Sequence, residues 1–265
     1  MGFGVARTAH SWDDGGMRLI VTGIGDAFSA LSYGSSGLVE ASAGLVAIDC
    51  PGAPLAMYRA AAERTGIPID VQRIDDILLT HLHGDHSNGL ETIGFARRYR
   101  SDHPSRPRLY ALPEVLDRVW EKLAPAMDGT TKGNGGISTL ADYFEPCPMT
   151  PGTEFEVAGM SVSCRRSRHS VPTAGLVLRD GSASLGWSGD CEFEQAHVEW
   201  LSRADCIVHE CGGHFKHTTW AELDTLPEQI KAKIRLIHLP DGVDVPDGPM
   251  RPLQQGEVLS IGSPG

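Results

Sequence analysis

The chain has 265 residues, 41% of them hydrophobic and 22% charged, which excludes a disordered chain and fits one large domain, residues 1–265. Its 23 basic and 34 acidic residues leave a net charge of −11, which argues against sequence-independent binding of DNA or RNA. No stretch reaches the length of a transmembrane helix, and no basic start with an apolar run marks a secretory signal. Six cysteines without a CxxC pair read as free thiols, hence a cytoplasmic location.

Residues 1–16 read as an N-terminal extension. Met17–Thr22 is a predicted strand ending at Gly23, and Gly37–Asp49 a predicted hairpin turning at Ser42-Ala43-Gly44. Between them, Val21-Thr22-Gly23-Ile24-Gly25-Asp26 imitates a dinucleotide fingerprint. The third glycine position is Phe28 and no helix pattern follows, so the reading is a glycine turn. Pro54–Thr65 is a predicted helix, with Gly66 and Pro68 as stop signals. Ile74–Thr80 reads as a buried strand and Ser87–Tyr99 as a helix. Pro113–Leu123 reads as a helix with Leu116, Val119, Trp120 and Leu123 on one face, ending before Pro125. Residues 124–141, rich in Gly and Thr, read as a lid or surface loop.

Strands then return. Phe155–Ser163 carries an Ala-Gly turn, and Gly175–Arg179 and Ser184–Ser188 flank the hairpin signal Asp180-Gly181. Glu192–Leu201 and Trp220–Lys233 are predicted helices. Cys206–His209, Ile234–His238 and Glu257–Ile261 are predicted strands. Hairpins mixed with helical crossovers give an α/β class with mixed sheets.

The chemistry gathers at His81-Leu82-His83-Gly84-Asp85-His86, directly after a strand. Residues i and i+2 of an extended chain point the same way, so His81 and His83 can grip one ion. Gly84 turns the chain, and Asp85 and His86 can face a second. Imidazole and carboxylate donors without thiolate suit Zn²⁺ or another first-row divalent ion. Further donors must come from other strand ends, and His169, Asp190 and His238 are placed there.

The chain resembles the metallo-β-lactamase-fold hydrolases, whose signature is HxHxDH followed by a distant His, Asp and His. The resemblance covers about Leu19 to Leu239. It implies a four-layer αβ/βα sandwich with two mixed sheets. It assigns His81, His83 and His169 to a first metal, Asp85, His86 and His238 to a second, and Asp190 to both. It implies two divalent ions, Zn²⁺ first and Mn²⁺ or Fe²⁺ as alternatives, and a structural role for Asp49.

Arg168-His169-Ser170-Val171-Pro172-Thr173-Ala174-Gly175 is similar to the H-S-V-P-T-x-G segment of the ribonuclease Z and phosphodiesterase branch. In that branch a Glu–His pair delivers a proton. Glu210 and His217 are the candidates, with His209 an alternative partner. Asp85 doubles as ligand and proton acceptor. Two adjacent ions can share a hydroxide and neutralise a phosphoryl oxygen during attack. Arg165, Arg166 and Arg168 are weak candidates for substrate binding, against the alternative of a solvated face paired with acids.

The expected function is therefore hydrolysis of a small phosphodiester such as a cyclic nucleotide. A lactonase or other carboxyl-ester hydrolase, a tRNA 3′-processing endoribonuclease and a metal-binding sensor are the alternatives. The acidic balance and the absence of a basic arm favour a small molecule over a nucleic-acid polymer, and the branch allows a homodimer. His10, His103 and His197 read as surface residues, and His214 as undecided.

Overall fold

The computed structural model describes residues 16–41, 43–100, 105–129 and 136–262. The N-terminal extension, apart from Gly16, lies outside them. So do His10, His103, Ser42 and residues 130–135 of the expected lid.

The strands are β1 (Met17–Gly23), β2 (Ser36–Ala41), β3 (Gly44–Ile48), β4 (Ile74–Leu78), β5 (Arg108–Ala111), β6 (Glu145–Pro148), β7 (Glu154–Val157), β8 (Met160–Ser167), β9 (Thr173–Asp180), β10 (Ala183–Trp187), β11 (Cys206–Glu210), β12 (Ile234–Ile237), β13 (Arg251–Pro252) and β14 (Val258–Ile261). They form two seven-stranded sheets, in the orders β14-β1-β2-β3-β4-β5-β6 and β13-β12-β11-β10-β9-β8-β7. Both are mixed. β3 through β6 are parallel neighbours, as are β10 through β13, while hairpins join β1 to β2, β2 to β3, β7 to β8, β8 to β9 and β9 to β10.

The sheets pack face to face. Leu19, Leu38, Ile48 and Leu78 of the first share one buried cluster with Val162, Leu176, Leu185 and Trp187 of the second. Helices close the outside. Met57, Tyr58 and Ala61 of helix Pro54–Thr65 join that cluster. Val198, Leu201 and Leu223, from helices Gln195–Leu201 and Trp220–Asp224, form a second cluster with Ile207, Ile234 and Leu236. Apolar burial of this extent is the main favourable term in folding. Among the described residues no helix is long and apolar enough to cross a membrane.

Several expectations change. The helix at Pro113 runs to Met127 with Pro125 inside its last turns. Pro125 has no N–H for the carbonyl four residues back, that of Glu121, an exposed residue. That helix buries Val115, Val119, Leu123 and Met127, and Leu116 and Trp120 of the expected face pack, partly buried, beside them. Residues 124–127 are thus helix, not loop. The expected helix Ser87–Tyr99 is a short turn Gly84–Ser87 followed by Leu90–Tyr99. Trp220–Lys233 is split into Trp220–Asp224 and Glu228–Lys231 by Pro227. β5, β6 and β13 were not expected. Gly25 forms bridges to Gly34 and Leu239, and no helix follows it, as a glycine turn requires.

Candidate metal centre and proton-transfer pair

Parallel neighbours β3 and β4, and β10, β11 and β12, all end at one edge of the sandwich, and each delivers polar side chains there. Asp49 follows β3, His81 follows β4, Asp190 follows β10, Glu210 closes β11 and His238 follows β12. Asp49 and His238 hold φ of 61° and 59°, a left-handed backbone that non-glycine residues rarely adopt. Gly189, at φ 59°, aims Asp190; an added Cβ there would lie 2.5 Å from the Ala174 carbonyl oxygen.

Two donor clusters result. One joins His81, His83, His169 and Asp190; the other joins Asp85, His86, Asp190 and His238; within each, the donor atoms lie within 4.8 Å of one another. Asp190 belongs to both. A third group, Glu210, His217 and His238, adjoins them. Every residue the sequence marked as a metal ligand therefore comes to one place.

The ring nitrogens divide their work. His81 Nδ1 lies 2.9 Å from Thr80 Oγ1, His86 Nδ1 2.8 Å from Asp49 Oδ2, and His169 Nδ1 3.1 Å from the Lys216 carbonyl. His81 Nε2 and His86 Nε2 are buried without a hydrogen bond, and both face Asp190. A histidine fixed through one nitrogen with the other bare toward a carboxylate is the arrangement metal sites use. The donor set fits divalent ions of the zinc type.

The charges agree. Burial pushes His81 well below its ordinary value, and burial also lowers His83 and His169. These three are neutral donors at neutral pH. Burial works against protonated His86 and His238 too, but Asp190, with Asp49 or Asp85, outweighs it and raises both. Asp190 is held well below the carboxylate range: burial opposes this, and His86, His238 and His81 prevail.

The loop itself is pinned. Lys122 Nζ donates to the Leu82 carbonyl (2.9 Å) and Ser87 Oγ (2.6 Å), and the Cys50 amide donates to the His86 carbonyl (2.7 Å). Asp49 accepts from the Thr80 amide at 2.7 Å as well as bonding His86. Sequence reasoning missed Lys122, and no motif surrounds it.

Glu210 meets His217. His217 Nδ1 stands 3.0 Å from Glu210 Oε1, which also accepts the Cys191 amide at 2.8 Å; Oε2 accepts the Gly212 amide at 2.8 Å. His209, the alternative, is buried and bonds through Nδ1 to the Glu210 carbonyl. His197 is buried, not on the surface. It shares a helix face with Val198 and Leu201, and its Nε2 donates to the Ser188 carbonyl at 3.1 Å. The three arginines do not point at free space. Arg166 pairs with Glu114, Arg168 with Glu192, and Arg165 donates to the Ala196 carbonyl. All six cysteines are free.

A family model described as "Anti-Pycsar protein Apyc1" matches residues 17–259. The anti-Pycsar protein Apyc1 of Saccharibacillus brassicae is 32% identical over 259 residues, covering 92% of this chain and all of that one. The cAMP/cGMP-dependent 3′,5′-cAMP/cGMP phosphodiesterase B of Dictyostelium discoideum is 25% identical over 209 residues, 71% of this chain and 18% of that one. Among solved structures, the metallo-beta-lactamase fold protein YhfI from Bacillus subtilis superposes with a TM-score of 0.75 at 18% identity, over 92% of this chain and 99% of that one. The fold is therefore that of the metallo-β-lactamases, as the histidine loop implied.

Proposed function

The chain belongs to the Anti-Pycsar protein Apyc1 family, and we propose that it is a metal-dependent phosphodiesterase that opens 3′,5′-cyclic nucleotides. The observation that carries the reading is the pair of donor clusters sharing Asp190, with His217 and Glu210 beside them. The relative named for 3′,5′-cAMP and cGMP supports the substrate class. The net charge of −11 favours a small anion over a polyanion.

His81, His83 and His169 would hold one divalent ion, Asp85, His86 and His238 a second, and Asp190 would reach both, zinc being the first choice. Bound there, the ions would supply a water of lowered pKa and would neutralise charge on a phosphoryl oxygen.

The chain's own groups do the rest. Asp85 Oδ2 lies 3.2 Å from His238 Nε2 and 3.3 Å from His86 Nε2, the atoms with which it shares a cluster. It is placed to orient the attacking water and accept its proton. His217, its Nδ1 engaged by Glu210, has Nε2 left to protonate the departing ribose oxygen. Water adds to phosphorus, the bond from phosphorus to that oxygen breaks, and a linear nucleoside monophosphate results. Purified protein of measured metal content, assayed side by side on 3′,5′-cyclic nucleotides and an acyl-homoserine lactone, tests the reading. Lactone turnover alone would sink it.

A further inference from the structure

The proposed chemistry accounts for a phosphate but leaves the base of the nucleotide without a place. On the premise of that reading, we propose that Phe28 and Phe215, together with His214, form the platform that receives the base.

Rings lead outward from the donor clusters in sequence. His217 stacks on His238 with centroids 4.8 Å apart and planes at 14°. His214 meets His217 at 4.8 Å, and Phe28 meets His214 edge-on at 6.3 Å. A ligand with phosphate at the clusters would carry its planar ring outward along this line. Phe28 and Phe215 are each 83% exposed, as is Leu31 on the Phe28 turn. Of these, Phe28 touches His214, and Phe215 follows His214 directly in the chain.

The exposure belongs to built loops. Asp26 Oδ1 accepts from the Phe28 amide at 3.0 Å and from Ser29 Oγ at 2.9 Å. Asp241 Oδ2 accepts the Ala30 and Leu31 amides, tying the turn to the segment after His238. On the other loop, Lys216 Nζ lies 5.2 Å from the Phe215 ring centroid and pairs with Glu192. One side of Phe215 is thus backed by a cation while the ring stays open to solvent. Stacking on such rings tolerates any base, since every base has a π face.

The test compares Phe28→Ala, Phe215→Ala and the double variant with the parent protein, all metal-loaded. Binding of AMP and of ribose 5-phosphate is measured by calorimetry, alongside turnover of 3′,5′-cAMP. The parent should prefer AMP, and the double variant should lose about tenfold of that preference. Equal affinity of the parent for both ligands would overturn the platform. So would an unchanged preference in the double variant, including the case where sedimentation shows a dimer falling apart, since the rim would then cover a second copy. A retained and mutation-sensitive AMP preference without cAMP turnover would uphold the platform and sink the phosphodiesterase reading instead.

Discussion

His86 Nδ1 and Asp49 Oδ2 stand 2.8 Å apart in the protein interior, each fully buried. The pair fixes which nitrogen of His86 faces Asp190. Asp49 adds bonds to the Thr80 amide and hydroxyl, so one carboxylate organises the ends of two neighbouring strands. Asp49→Asn should weaken metal binding by about 10–100-fold, the range for groups that orient a ligand. Metal titration calorimetry reads this directly. Unchanged affinity would mean that His86 is oriented by the loop alone.

His217→Ala removes the group placed to protonate the leaving oxygen. It should lower kcat by about 10²–10⁴-fold while metal content and KM hold, since general-acid catalysis contributes on that scale. A leaving group that needs no proton, such as p-nitrophenolate, should rescue most of the loss. A KM effect without a kcat effect would assign His217 to binding.

Metal removal should destabilise the fold. Without ions, His81 Nε2 and His86 Nε2 stay buried without a hydrogen bond beside the buried Asp190 carboxylate. Ligands that bind only the folded state raise stability by mass action, about 2.7 kcal/mol at a hundredfold excess over Kd. Urea titration with zinc and with a chelator should therefore give different midpoints. Coincident curves would contradict the ligand assignment.

His197 gives a pH dependence with a defined sign. Burial drives its value down to about 4 from 6.5. The unfolded chain then binds a proton that the folded chain refuses between those values. Its contribution is fully present above about pH 6.5 and is lost as pH falls toward 4. That interval corresponds to about 3 kcal/mol. In metal-free protein, His197→Gln should lose less stability than the parent between pH 7 and pH 4.5, as read by urea titration. Parallel losses would show that His197 is charged in the fold.

Much of the site was legible because its parts lie close in sequence. His81 and His83 stand two apart after one strand end, and Asp85 and His86 follow at the turn Gly84–Ser87, so all four were readable as one group. Asp190 and His238 follow apolar runs and His169 follows the close of a strand, which placed all three at a sheet edge. Lys122 was not legible, because its target, the Leu82 carbonyl, lies 40 positions earlier and only the tertiary fold joins them. His197 was legible in principle, since it lies on the helix face of Val198 and Leu201. Its polarity hid it. The edge strands β6 and β13 carry prolines and few apolar residues, so neither alternation nor an apolar run announced them. Pro125 looked like a stop, but burial of Leu123 and Met127 outweighs one lost hydrogen bond.

The most direct measurement is phosphorus NMR of 3′,5′-cAMP incubated with metal-loaded protein and with its Asp190→Ala variant. The parent should convert the cyclic diester signal into that of a monoester, and the variant, lacking the carboxylate shared by both clusters, should leave the diester intact. A diester that persists with the metal-loaded parent, or that both proteins cleave at the same rate, would contradict the account.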